Sequence, residues 1–161
     1  MQLPELKKKY LLYENYKGQQ ITDIFDEKQI RTSAKSTVYT TETSVALNNG
    51  KGTFALQPLP KAAQFAPIYA LSIADIDKDG HLDILMGGNL HRSKPELGIY
   101  DGSYGLLLKG NGQGGFEAMP SSISGFSVKG EIRDIAKLAI GNTPMFLIGR
   151  NNKSLLFYQA E

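Results

Sequence analysis

The sequence predicts a mainly β chain made of repeated sheets and preceded by a short N-terminal helical segment. Three observations point there. From about residue 37 onward, short apolar or alternating runs are separated by Gly, Asn and Pro. A turn motif occurs twice. No apolar stripe of helical spacing and useful length follows residue 40. The 17 glycines and seven prolines among 161 residues supply the turns that such a chain needs.

The N-terminal segment, 1–36, follows a different rule. Leu3, Leu6, Tyr10 and Tyr13 recur at steps of three and four, which places them on one face of a helix with Lys7, Lys8, Lys9 and Glu14 off it. Gly18 is placed to end that helix. A second short helix is expected beyond it, with Asp26 as N-cap and Gln29 as its reciprocal partner. Ile21, Ile24 and Phe25 are the residues that would face a core. Together these make a helical hairpin that packs on the rest, and the lysine run is a solvated face.

Strands are predicted over 43–47, 54–58, 68–74, 82–87, 105–109, 116–119, 132–140, 145–148 and 154–158. Asn49-Gly50-Lys51-Gly52-Thr53-Phe54 recurs as Asn111-Gly112-Gln113-Gly114-Gly115-Phe116, a period of about 62 residues. A proline stands four residues after each Phe, at Pro58 and Pro120, and a further phenylalanine follows at Phe65 and Phe126. Asn-Gly and the later glycine supply positive φ for a tight hairpin, and the Phe is expected to plug the core.

The bulk numbers exclude several classes of function. A net charge of +2, from 18 basic and 16 acidic residues, gives no electrostatic footprint for nucleic acid. There is no cysteine, hence no disulfide, thiolate metal site or cysteine nucleophile. No apolar run approaches the roughly 18 residues of a membrane span. The first residues lack the long apolar core and small-residue cleavage site of a signal peptide. The chain is therefore expected either to stay inside the cell or to be a mature or excised piece of a longer exported one.

The sharpest feature lies between the third and fourth predicted strands. In Asp75-Ile76-Asp77-Lys78-Asp79-Gly80-His81-Leu82-Asp83, aspartate fills loop positions 1, 3, 5 and 9, and glycine fills position 6. Calcium is a hard cation that takes six to eight oxygens, and carboxylates on a sharply turned loop can surround it. The predicted ligands are Asp75, Asp77, Asp79 and Asp83, with the backbone carbonyl of His81 at position 7. Without a cation, four such carboxylates repel one another. An EF-hand would need a bidentate Glu at position 12 and flanking helices. Position 12 is Met86, and the flanks are apolar, β-like and opened by Pro67, so that reading is rejected.

The order strand, DxDxDGxxD, strand, then a further strand and N-G-x-G-x-F, resembles the FG-GAP or VCBS-type repeat of β-propellers, including the integrin-like ones. The resemblance spans about residues 40–161 and is nearest to the C-terminal part of VCBS-repeat proteins of bacterial cell surfaces. It implies that each repeat is one propeller blade with calcium between its first two strands. Asp75, Asp77, Asp79, Asp83 and the His81 carbonyl are the positions that match. The implied fold is an incomplete β-propeller of about two to three blades of antiparallel strands. Residues 37–66 are a partial blade, 67–126 the calcium-binding blade and 127–161 a degenerate blade. The last blade has Gly141-Asn142-Thr143-Pro144 where an acidic loop would stand, so no metal is expected there. A closed propeller takes at least four blades. The expected partners are thus other blades of a longer parent chain.

The expected function is a non-catalytic, calcium-stabilised interaction module, extracellular, at a cell surface or periplasmic. A glycan-binding alternative rests on the long loop 89–104, where Arg92, Tyr100, Asp101 and Tyr104 could stack on and hydrogen-bond a sugar. A calcium-dependent enzyme acting on polysaccharide is the weaker alternative, because no Gly-x-Ser-x-Gly or comparable nucleophile motif is present. His91 is expected to be exposed and idle. The glycine-rich stretch 110–115 lacks the Lys-Ser/Thr of a phosphate loop and opens no helix.

Overall fold

A computed structural model describes residues 4–140 and 143–159. The chain divides into two compact units, one up to Thr40 and one from Thr41 onward.

Among the described residues, the first unit holds four short helices: α1 (Pro4–Lys9), α2 (Tyr13–Tyr16), α3 (Ile21–Ile24) and α4 (Glu27–Thr32). The stripe expected on one helix is therefore split across a break at 10–12. Pieces of four to six residues are too short to recover the cost of helix nucleation, so local caps must hold them. At α4 the Asp26–Gln29 pair does so in both directions. The Gln29 N–H donates to Asp26 Oδ1 at 2.7 Å, and the Asp26 N–H to Gln29 Oε1 at 3.1 Å. The Gln20 N–H likewise donates to Asp23 Oδ2 at 2.8 Å. Helices α2, α3 and α4 bury no residue, and Ile21 is 61% exposed, contrary to the core-facing role expected of it.

Among its described residues, the second unit contains three antiparallel sheets. β1 (Ser44–Asn48) pairs with β2 (Phe54–Pro58). β3 (Ile68–Ala74), β4 (Asp83–Gly88), β5 (Leu106–Gly110) and β6 (Phe116–Met119) make a four-stranded meander. β7 (Ile132–Ile140), β8 (Thr143–Arg150) and β9 (Leu156–Gln159) make a three-stranded one. All nine predicted strands are present, four with the predicted bounds and five with ends moved by one or two residues. Gly141 and Asn142, part of the turn expected to replace an acidic loop in the last repeat, lie outside the described residues.

The repeated motif forms the same turn twice, between β1 and β2 and between β5 and β6. Asn49 Oδ1 accepts from Lys51 N–H and Thr53 N–H, and Asn111 Oδ1 accepts from Gln113 N–H and Gly115 N–H. The glycines sit at φ of 74° and 81° in the first copy, and 72° and 84° in the second. Each copy then reaches a proline that opens a helical turn, Pro60 before Lys61–Gln64 and Pro120 before α5 (Ser121–Ser124). One expectation fails. Phe116 packs against the core, but Phe54 is 63% exposed on a strand with no buried residue. Sheet β1–β2 has two strands where β3–β6 has four, so nothing closes over its first phenylalanine.

Two apolar layers lie between the sheets. Ala70, Ala74, Leu85 and Leu107 of the four-stranded sheet meet Ile132, Ile135, Phe146 and Ile148 of the three-stranded one, with Phe126 and Val128 wedged in from the connection. The small Ala70 and Ala74 leave room for the two phenylalanine rings. Full burial of each ring is worth about 2–3 kcal/mol. The opposite face of β4–β5 presents Ile84, Met86 and Leu108 to Leu59, Ala63 and Val45. With both faces covered, β4 is buried along its whole length, and this fixes where the loop before it emerges.

Candidate metal centre

The acidic loop leaves β3 after Ala74 and enters β4 at Asp83. Ile76 is buried and pins the loop to the core from inside. Carboxylates and backbone N–H groups then build its shape. The Gly80 N–H donates to Asp75 Oδ2 at 3.0 Å, the Asp79 N–H to Asp77 Oδ1 at 3.2 Å, and the His81 N–H to Asp79 Oδ1 at 2.9 Å. Gly80 has φ of 88°, which a side chain would make costly. Asp83 is 2% exposed and ties two segments together. Its Oδ2 accepts from the Ile76 N–H and its Oδ1 from the Gly110 N–H, both at 2.9 Å.

The fold brings Asp75, Asp77 and Asp83 together: each offers a carboxylate oxygen, and these lie within 4.8 Å of one another. Asp79 is turned differently. Its Oδ2 faces the Lys109 ammonium at 2.9 Å, and the same ammonium pairs with Asp77. Hydrogen bonding to Lys109, and then to the His81 N–H, holds the Asp79 carboxyl below the usual range. Asp77 and then Asp79 push the Lys109 ammonium upward. His81 is exposed, with its ring beside Gly112.

The donor set suits a hard divalent cation, because the side chains that converge offer only oxygen. A more specific observation is Asp75 Oδ1, which is buried and has no hydrogen-bond partner among the described residues. Buried carboxylate oxygens are normally satisfied, and one left bare costs free energy unless something answers its charge.

Residues 35–86 match a family model described as an FG-GAP-like repeat. Over that stretch the chain is similar to an FG-GAP-like repeat. The stretch begins ahead of β1, includes the whole acidic loop and ends within β4. No curated protein and no solved structure matches the chain significantly. FG-GAP-like repeats are generally non-catalytic modules. Among the described residues, no helix is long and apolar enough to cross a membrane.

Beyond the matched stretch, the loop 89–104 does not present its candidate ligand residues as one surface. Asp101 Oδ1 accepts from Asn89 Nδ2 at 2.9 Å and faces His91 Nε2 at 2.8 Å, so it is engaged internally. Tyr100 is held by backbone pairing with Leu90, and Arg92 is exposed. Tyr104 borders a shallow cavity of about 350 Å³ with Phe65, Met119 and Phe126, and Arg92, Tyr100 and Asp101 are not on its walls. His91 is not idle, since its backbone N–H donates to Glu131 Oε1 at 2.9 Å.

That contact belongs to a polar hub that single-sequence reasoning missed. Glu131, 5% exposed, accepts from His91 N–H, from Arg133 Nη2 at 2.6 Å and from Asn151 Nδ2 at 2.9 Å. Arg133 also donates to the Asn89 carbonyl at 2.9 Å and lies 4.3 Å from the Tyr69 ring centre. These contacts join the four-stranded sheet to the three-stranded one. The His91 N–H chiefly, together with Asn151 and the Arg133 charge, holds the Glu131 carboxyl below the usual range, against the opposing effect of burial. A depressed folded-state value stabilises the fold above the unfolded-state value of about 4.3 and is lost as pH falls through the folded one. Urea midpoints are therefore expected to drop as pH falls below about 5, with a shallower fall in Glu131→Gln. Equal slopes in the two proteins would rule out the hub as a source of acid sensitivity.

Proposed function

We propose that this chain is a non-catalytic, calcium-stabilised repeat module that acts in recognition outside the cell, at a cell surface or in the periplasm. The observation that carries the reading is Asp75 Oδ1, a bare buried oxygen in a cluster of three carboxylates. Asp75, Asp77 and Asp83 would hold the ion, with Asp79 and the His81 carbonyl completing the set at loop positions 5 and 7. Bound calcium would cancel the mutual repulsion of the carboxylates and lock the β3–β4 connection. Loops of this ligand count can be tuned to the millimolar calcium found outside cells, which supports an exported location.

The same reading assigns residues 37–66, 67–126 and 127–161 to successive blades and makes other blades of a longer parent chain the natural partners. Two features favour such partners. Sheet β1–β2 stops at two strands although it carries the same turn as β5–β6. On β3, Tyr69, Leu71 and Ile73 are all about half exposed along one side. Apolar side chains in such a row suit a neighbouring sheet better than water.

The test is calorimetry and melting of the whole chain. Calcium at about a hundred times its Kd adds about 2.7 kcal/mol of stability, and Tm rises by several degrees. Chelator should reverse the rise, and Asp77→Ala should melt without responding to either. No heat of binding at millimolar calcium and no change in Tm would end this reading.

A further inference from the structure

Lys109 lies outside the acidic loop, on β5, and its ammonium reaches across to Asp77 and Asp79. Its backbone neighbour Gly110 is the group that donates to Asp83. The end of β5 therefore meets the loop at two points, a buried amide on Asp83 and a partly exposed cation on Asp77 and Asp79.

The internal repeat provides a comparison. Counting back from each Asn-Gly turn, the residue matching Lys109 is Leu47 on β1. Sheet β1–β2 carries no acidic loop, and Leu47 packs at Gly114 of the second turn. A cation stands at this position only in the copy whose sheet bears the carboxylates. Packing does not demand it, since the first copy uses an apolar residue there.

We propose that Lys109 is a built-in counter-ion of the loop, one that holds Asp77 and Asp79 in the absence of a divalent ion and competes with that ion for them. This rests on the calcium reading above and adds a residue that sets its affinity. The four loop aspartates carry four negative charges, and Lys109 offsets one of them. Exposed ammonium–carboxylate pairs are weak, so the side chain can give way. While it stays, it both occupies ligand oxygens and repels an incoming cation. The loop therefore trades affinity for order when calcium is scarce, and its response shifts toward high calcium concentrations.

The experiment uses the full chain as wild type, Lys109→Met and Lys109→Arg, with calcium as titrant and Tm in chelator as a second reading. Lys109→Met keeps the aliphatic stem and loses the charge. It is expected to bind calcium about tenfold more tightly at low salt, with the gain shrinking as ionic strength rises. In chelator it should melt below wild type, while Lys109→Arg stays near wild type in both readings. Calcium binding that is unchanged or weaker in Lys109→Met overturns the inference and leaves the metal reading intact. Absence of calcium binding in all three proteins overturns both. An unchanged Tm of Lys109→Met in chelator refutes the counter-ion role whatever the calcium affinity.

Discussion

Asn89→Ala is expected to destabilise the protein by about 3–4 kcal/mol, although Asn89 lies in no motif and touches none of the acidic loop. The side chain is 1% exposed at the end of β4. Its Nδ2 donates to the Gly130 carbonyl at 3.1 Å, the Ser103 carbonyl at 2.6 Å and Asp101 Oδ1 at 2.9 Å, while its Oδ1 accepts from the Ser103 N–H at 3.2 Å. Gly130 leads into β7, so one amide joins the four-stranded sheet, the loop 89–104 and the three-stranded sheet. Alanine leaves the Gly130 and Ser103 carbonyls and the Ser103 N–H without this partner, while Asp101 keeps His91, and buried groups left bare cost about 1–3 kcal/mol each before relaxation. The backbone adds a second penalty. Asn89 has φ of 76°, a region that asparagine tolerates and alanine resists by about 1 kcal/mol. Asn89→Gly separates the two contributions, because it removes the strain but not the lost hydrogen bonds, and should recover about a third of the loss. The measurement is urea unfolding followed by near- and far-ultraviolet circular dichroism. If Asn89→Ala unfolds at the wild-type midpoint, the hub does not couple the sheets.

This residue also marks where the sequence stops being legible. Strands announce themselves through alternation and turn residues, and for that reason β2, β3, β6 and β7 have the bounds that local pattern predicts. The acidic loop is legible for a related reason: ligand spacing and strand order are both local. The hub is not local. Asn89, Asp101 and Glu131 are separated by tens of residues and share no spacing rule, and an asparagine ahead of a polar loop looks like any turn residue. One trace of it lies in the repeat. The β3–β4 and β7–β8 pairs both carry a bulge near their start, and there the Asn89 N–H donates to the Pro67 carbonyl as the Asn151 N–H does to the Glu131 carbonyl. The long-range contact of Lys109 was hidden in the same way, because a lysine at the end of a strand has no sequence signature. Local pattern misjudged Phe54 for the opposite reason. Its motif is the same as that of Phe116, but burial depends on the strands opposite, which the motif does not encode.

Asp83→Ala should cost about 3 kcal/mol even in excess chelator, and so should separate two roles within one cluster. Of the three clustered aspartates, Asp83 alone is buried, and both its oxygens are occupied by backbone N–H groups from different segments. The Ile76 N–H comes from the loop itself and the Gly110 N–H from the end of β5. Hydrogen bonds to a carboxylate are about twice as strong as neutral ones, and alanine would leave both amides buried and unpaired. Asp77 is exposed, accepts one local amide and pairs with Lys109 at the surface, so Asp77→Ala in chelator should lose only a small fraction as much. Calcium reverses the emphasis. Asp77→Ala should abolish the calcium-dependent rise in Tm while barely changing the metal-free midpoint, whereas Asp83→Ala should lower the midpoint in both conditions. Asp83→Asn, which keeps one acceptor oxygen but places an amide NH₂ against a backbone donor, should fall between them. The decisive comparison is unfolding with and without calcium for the three variants side by side. If Asp83→Ala and Asp77→Ala prove equally mild in chelator, the two amides on Asp83 do not hold the loop, and order at this turn comes from the carboxylates' shared cation alone.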